Sequence, residues 1–155
     1  MNPILRNVLA VIAGIMLELI LNGTLISLGG TILPVPEGVD PNDLESIKTN
    51  IHLYSIQHFI APFLAHALGT LAGTYLTCKL AVSGHLNLAM IVATAHFLGG
   101  LAMASAFDFQ PLYFSILDLC LAYFPMGILG WKLAHPLNAL SRDDLKSSII
   151  DGSLK

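Results

Sequence analysis

Four long apolar segments constrain this chain more than any other feature of its sequence. They cover residues 4–33, 57–82, 86–107 and 111–134. A helix that crosses the hydrocarbon core of a bilayer needs about 20 apolar residues, and each segment provides them. Because lipid offers no partner to backbone polar groups, single segments of this kind must be helical. The sequence therefore predicts an all-α fold, a polytopic membrane four-helix bundle over residues 1–135, followed by a tail at 136–155.

The composition argues against an ordinary soluble domain. Of the 155 residues, 55% are hydrophobic and 11% are charged, whereas soluble domains contain about 25% charged residues. The net charge is −3 and no basic cluster is present, so we expect the lipid bilayer, and no nucleic acid, as a partner. Cys78 and Cys120 are isolated from each other, which favours a role as small apolar filler over a dithiol or zinc site.

The basic residues predict which ends of the helices face the cytoplasm, because Lys and Arg are retained on that side of a membrane. In a model with four spans one side holds Arg6, Lys79, Lys132, Arg142, Lys146 and Lys155. Only Lys48 lies on the other side, in the loop at 34–55. We therefore expect a multi-pass protein of a bacterial inner (cytoplasmic) membrane with both termini cytoplasmic. The first span carries Glu18 and is too long for a signal peptide, so we expect it to be retained.

The loop at 34–55 has the pattern of a structured segment. Asp40 suits an N-cap, Pro41 suits the first helical position, and Asp43 fits a capping-box arrangement. This pattern predicts a short surface helix over residues 41–49. Inside the spans, Pro62 and Pro125 remove backbone hydrogen bonds, so we expect kinks near both.

Each predicted span carries one ionisable residue near the middle of the membrane. These are Glu18, His66, His96 and Asp118, and Asn22 shares the helix face of Glu18. A charged group in hydrocarbon costs about 2.5–3.5 kcal/mol even on lenient scales, so such residues usually face the interior of a bundle. We therefore expect the five side chains to form a polar cluster that serves as a ligand site or proton path.

Small residues accompany the ionisable residues on their helix faces. Gly14 shares the face of Glu18, and Gly69 and Gly73 lie in the second span with the spacing GxxxG. Small residues allow helices to approach closely, either within one chain or between two copies. The sequence is thus compatible with a homo-oligomer formed through these faces. Packing within the bundle explains the small residues equally well.

Three functions are compatible with the polar cluster. It could relay protons or hold a small solute during transport, which is a frequent use of intramembrane ionisable residues. It could be the site of a metal-dependent membrane enzyme. Or it could belong to a structural subunit in which the polar groups only fix the register of the helices. We take the handling of a small solute or protons as the main hypothesis.

The metal hypothesis rests on the residue types alone. Zinc or iron could be held by His66, His96, Glu18 and Asp118, because imidazole and carboxylate groups are ordinary ligands of both metals. No helix offers two ligands at HxxxH or ExxH spacing, so all four helices would have to converge on the ion. We expect no cofactor, and these residues remain the candidates if a metal is bound.

A family resemblance supports the membrane assignment. The run Pro36-Glu37-Gly38-Val39-Asp40, then Asn42, Asp43, Glu45 and His58-Phe59, and the run Pro62-Phe63-Leu64-Ala65-His66-Ala67-Leu68-Gly69-Thr70 carry it. With these motifs, residues 1–134 resemble a family of small bacterial inner-membrane proteins without an assigned activity. The resemblance implies a four-helix membrane protein and assigns no chemical role to any residue.

Overall fold

The described part of the chain consists of helices and the segments that connect them. The computed structural model describes residues 1–106 and 110–135, and it contains no strand within them. In chain order the helices are α1 (Pro3–Ile32), α2 (Leu44–Thr49), α3 (Ile60–Leu80), α4 (His85–Ala106), α5 (Leu112–Leu121) and α6 (Phe124–Ala134). Two short 3₁₀-helices, Ile51–Leu53 and Ile56–Phe59, precede α3. The all-α prediction is confirmed for these residues.

Four helical segments of the described chain are long and apolar enough to cross a membrane. They are Pro3–Ile32, Ile56–Leu80, His85–Ser105 and Leu112–Ala134. These bounds agree closely with the segments predicted from the sequence. The predicted end of the third span at Phe107 and the tail at 136–155, with its basic residues, lie outside the described residues.

α1 begins and ends where the local sequence favours it. The side chain of Asn2 accepts a hydrogen bond from the backbone N–H of Ile4 at 2.9 Å, and Pro3 occupies the first turn, where its missing N–H costs nothing. At the other end, Pro34 follows the C-cap residue Leu33 and cannot continue the helix. The apolar run between these signals forms one uninterrupted helix of 30 residues.

α3 is the central helix, and it packs against α1, α4 and α6. Its contact with α1 is close because two glycines face each other. A Cβ atom on Gly73 would lie 2.7 Å from the carbonyl oxygen of Gly14, and one on Gly14 would meet the side chain of Thr77. On the side of α6, Gly130 approaches Thr74 in the same way. Gly69 and Gly73, the GxxxG pair, thus pack against α1 within this chain.

One end of the bundle, which we call the basic end, is tied together by cationic side chains. Arg6 Nε donates to the carbonyl of Leu80 at 2.9 Å, and Lys79 Nζ donates to the carbonyl of Ala134 at 2.8 Å. Both acceptors are at helix C-termini, where carbonyls lack partners within the helix and cations are favoured. These contacts also place the N-terminus of α1 beside the C-terminus of α3.

The opposite end, the loop end, carries the surface helix, which starts later than predicted. α2 begins at Leu44, and Asp43 is its N-cap, with a side chain that accepts from the N–H of Glu45 at 3.0 Å. The assignment of Asp40 as N-cap is wrong, because its carboxylate accepts from the N–H of Asn42 at 2.9 Å and forms a separate turn. Both aspartates have the chemistry of a cap, and the one next to the helix takes the role. The predicted end at Thr49 is confirmed.

The prolines interrupt two spans as expected. Pro62 lies in the first turn of α3, directly after the 3₁₀-helix Ile56–Phe59, so the missing N–H falls at the change from 3₁₀ to α geometry. Pro125 lies in the first turn of α6, and the helical path breaks at Ala122 and Tyr123 just before it. The fourth span is therefore two helices, α5 and α6.

Candidate functional site

The four ionisable side chains of the spans come together as two separate pairs. In the first pair, His66 Nδ1 lies 2.8 Å from Asp118 Oδ1 and 2.9 Å from Asp118 Oδ2, which joins α3 to α5. An ionised carboxylate can only accept, so this contact requires a proton on Nδ1 of His66. In the neutral tautomer Nε2 is then an acceptor, and no described residue is hydrogen-bonded to it.

The second pair joins α1 to α4. His96 Nδ1 lies 3.0 Å from Glu18 Oε1 and 2.8 Å from Thr70 Oγ1. The hydroxyl of Thr70 donates its proton to the carbonyl oxygen of His66, four residues earlier on α3, at 2.8 Å. Since that proton is used, Thr70 accepts from His96, which makes Nδ1 the protonated nitrogen of His96 as well.

The two histidines are in contact with each other and with a tyrosine. Their ring centroids lie 5.6 Å apart in an edge-to-face arrangement. The ring of Tyr123 stacks on His66 at 5.7 Å and meets the edge of His96 at 5.0 Å. Its hydroxyl donates to Asp118 Oδ2 at 3.0 Å. Tyr123 thus links the two pairs into one cluster, which we call the polar cluster: Glu18, His66, Thr70, His96, Asp118 and Tyr123.

Sequence reasoning missed the contribution of Tyr123 and gave no role to Thr70. Tyr123 lies in the irregular stretch between α5 and α6, and an unbroken helix gives no indication that its ring would reach both histidines. The available signal was Pro125, because a break just before a proline reorients the residues that precede it. An aromatic residue with a hydroxyl at that position was therefore a candidate.

The cluster is almost fully shielded from the surroundings of the bundle. Glu18 is 1% exposed and Asp118 is 5% exposed, while Thr70 and Tyr123 are fully buried. The His66 side chain keeps the largest opening, at 21% exposed. Glycines on the neighbouring helix make room for Glu18, since Cβ atoms on Gly69 and Gly73 would both lie against it.

One fully buried oxygen of the cluster has no partner. Oε2 of Glu18 is buried, and no hydrogen-bond donor or acceptor of the described residues satisfies it. Buried polar atoms in proteins are usually paired, because an unpaired one costs about 1–3 kcal/mol. This oxygen is therefore a place where a proton or a further polar group would be stabilised.

Asn22, the fifth predicted site residue, belongs to a cavity beside the cluster. The cavity has a volume of about 910 Å³ and extends from the segment at the loop end to His66 and Asp118. Asn22 lies in its wall, one turn beyond Glu18 on α1. The structure thus places four of the predicted residues in direct contact pairs and the fifth on the approach to them.

Hydrogen bonds of His58 connect two segments of the chain at the loop end of this cavity. The backbone N–H of Ser55 donates to Nδ1 of His58 at 3.1 Å, so the ring proton is on Nε2, which donates to the carbonyl of Pro34 at 3.3 Å. The imidazole therefore ties the start of α3 to the segment that follows α1. His58 also lines the cavity, so it lies at the entrance to the path that leads to His66.

The metal candidates do not converge on a common point. Among the described residues no group of three or more His, Cys, Asp or Glu side chains is placed to hold an ion. His96 and Glu18 face each other on one side of the cluster, and His66 and Asp118 on the other. In this arrangement each Nδ1 is directed at a carboxylate or hydroxyl, as in hydrogen-bonded pairs.

Comparisons with known proteins give no family for the chain. No family model, no curated protein and no solved structure matches it.

Proposed function

We propose that the chain is a multi-pass protein of a bacterial inner membrane that handles protons or a small solute through the polar cluster. The four apolar helices support the membrane part of this proposal. The basic end gathers Arg6, Lys79 and Lys132, while the loop end carries four acidic residues beside its single lysine, Lys48. Because positive charge is retained on the cytoplasmic side, this distribution supports an orientation with both termini in the cytoplasm and the loop outside.

The observation that carries the functional proposal is the connection between the cavity and the cluster. The cavity reaches His66 and Asp118 from the loop end, so the first pair is accessible from the outer side of the membrane. An ionisable pair at the inner end of a cavity can exchange protons with whatever fills that cavity. A pair that served only to fix helix register would need no such access.

From the first pair, contacts lead inward to Glu18. His66 lies against His96, whose Nδ1 is next to Glu18 Oε1. Thr70 offers a hydroxyl between the two histidines, because it contacts His96 Nδ1 and the backbone oxygen of His66. A proton can pass between Asp118 and His66, and between His96 and Glu18, through their hydrogen bonds. The step between the two imidazoles is a ring contact without a hydrogen bond, so it requires rotation of a ring.

Beyond Glu18, toward the basic end, α1 packs closely against α3. Gly14 lies directly against Gly73 and Thr77. Thr77 Oγ1 is buried and donates to the carbonyls of Gly73 at 2.9 Å and Ala10 at 3.3 Å. The cavity thus reaches the cluster from the loop end, and close helix packing follows on the far side of Glu18.

Infrared difference spectroscopy of the purified protein in lipid nanodiscs tests the proposal. We expect a protonated carboxyl band that changes with pH in the unmodified protein and is lost or altered in Glu18→Gln and Asp118→Asn. Asp40→Asn, in the exposed turn of the loop, is the matched control and should leave the band unchanged. A spectrum without any pH-dependent carboxyl signal, or with one that both cluster variants retain, would show that the cluster has a structural role only.

A further inference from the structure

The chemistry of the cavity wall identifies the class of ligand that fits it. Most of the wall is apolar, and its polar side chains lie at two ends. Four of them are next to the cluster, and Tyr54, Gln57, His58 and Gln110 are at the loop end. Representative wall residues are Asn22, Ile26, His66, Ala104, Ser115 and Asp118. A volume of about 910 Å³ falls within the range of small-molecule sites, which is about 300–1,000 Å³. We infer that this cavity binds an amphipathic, lipid-like molecule whose uncharged hydroxyl-type head group reaches His66.

The end of the cavity next to the cluster selects against an anionic head group. Among the described residues no Lys or Arg lines the cavity, whereas Asp118 does. A carboxylate or phosphate group would approach a buried aspartate without a permanently charged Lys or Arg to offset the repulsion. Fatty acids and phospholipid head groups therefore fit poorly at this end.

The same end offers neutral hydrogen-bonding groups to a ligand. Asp118 already receives contacts from His66 and Tyr123 on both of its oxygens. What remains in the wall is Nε2 of His66, the amide of Asn22 and the hydroxyl of Ser115, none of which is hydrogen-bonded to another described side chain. A hydroxyl head can donate to the imidazole nitrogen and accept from the amide or the serine.

The apolar part of the cavity is continuous with the side of the bundle. Ile32, Ile60 and Met103 line the cavity and are 83%, 51% and 53% exposed. In a membrane such surfaces face hydrocarbon, so an apolar tail can enter from the lipid without crossing water. This route favours a ligand that partitions into the bilayer over a polar solute from the aqueous phase.

Because this inference names the ligand of the proposed function, it rests on that proposal for what the ligand does at the cluster. Binding itself can be tested separately. The probe is a long-chain fatty alcohol with a diazirine on its chain, incorporated into nanodiscs that hold the purified protein. After photolysis, mass spectrometry locates the labelled residues. We expect labels on cavity residues of α4 and α5, in preference to the lipid-facing surfaces.

Two variants that fill the cavity, together with one control, test whether the labelling is specific to the cavity. Ala104→Phe and Ile26→Phe place a ring in the cavity from α4 and α1, and either should reduce cavity labelling about tenfold, the change that corresponds to a modest loss of binding free energy. Ala102→Phe, on the exposed side of α4 outside the cavity wall, should leave it unchanged. Thermal unfolding of each variant shows whether the bundle is intact.

The head-group assignment is tested with two matched probes. The same chain ending in a carboxylate, or in a methyl group, should label the cavity less than the alcohol, and Ser115→Ala combined with Asn22→Leu should remove that preference. Labelling spread evenly over lipid-facing residues, or a preference for the carboxylate, would overturn the inference. Either result leaves the carboxyl titration of the cluster intact, so it is distinguishable from a failure of the proposed function.

Discussion

The hydroxyl of Tyr123 donates a hydrogen bond to Asp118 Oδ2 at 3.0 Å, across the break that divides the fourth span into α5 and α6. The bond joins a fully buried phenol to a carboxylate that also contacts His66. Through this one contact, the irregular backbone of the fourth span becomes part of the polar cluster. Removal of the Tyr123 hydroxyl therefore tests how much this hydrogen bond contributes to the stability of the protein.

Tyr123→Phe should destabilise the protein by about 1–3 kcal/mol, because it withdraws one donor from a buried carboxylate while the ring contacts with the histidines remain. Thermal unfolding in a mild detergent measures the change. Tyr113→Phe is the control, since Tyr113 is largely exposed and meets Phe59 through its ring alone. Equal effects of the two substitutions would contradict the role assigned to the buried hydroxyl.

Thr70→Val keeps the shape of the side chain and removes the hydroxyl between the two histidines. We expect a loss of about 1–3 kcal/mol in stability, because His96 Nδ1 then keeps Glu18 as its only partner. Thr24→Val is a matched control. Thr24 donates to its own helix at Ile20 in the same way that Thr70 donates to His66, but it is exposed and contacts no histidine. If Thr24→Val lowers the stability as much as Thr70→Val does, the hydrogen bond between Thr70 and His96 contributes nothing measurable to stability.

Gly73→Ala should be among the most damaging small substitutions in the chain. The added methyl group would lie 2.7 Å from the carbonyl of Gly14 and 3.0 Å from Glu18 Cβ, so α1 must move away from α3. Overpacking of this kind typically costs about 1–3 kcal/mol or more. Gly23→Ala, on α1 with open space around it, should be neutral or slightly stabilising because alanine favours helix. Comparison of the two unfolding midpoints checks the prediction.

The orientation in the membrane can be read from cysteine labelling in intact cells. In a background with Cys78 and Cys120 replaced by alanine, Ser46→Cys in α2 should react with an impermeant maleimide, and Ser153→Cys in the tail should not. The reason is the excess of Lys and Arg at the basic end and in the tail. The opposite pattern of labelling would exchange the two sides of the path and place the cavity entrance in the cytoplasm.

The spans could be predicted because length and hydropathy alone decide them. The loop helix was harder, since Asp40 and Asp43 both have the chemistry of an N-cap and the choice depends on how the preceding turn closes. The sequence also predicted that Glu18, His66, His96 and Asp118 would face inward, because lipid exposure of such groups is costly.

What the sequence did not contain is the choice of partners within the cluster. Which histidine pairs with which carboxylate depends on the order of helices around the bundle and on the rotation of each helix about its axis. Glu18 meets His96 because α1 fits closely against α3, where Gly73 and Gly69 leave space for its side chain. Tyr123 reaches the polar cluster because the backbone leaves helical geometry just before Pro125. Both are tertiary effects of single small or rigid residues.

The break at Ala122 and Tyr123 has a mechanical consequence. α5 is short and packs sparsely against the other helices, while the two non-helical residues at its end are fully buried and pack with Ala67 of α3. Asp118 lies on α5, so its contact with His66 is a direct side-chain link between α5 and α3. We therefore expect a change of charge at either residue to alter how strongly α5 is attached to the central helix.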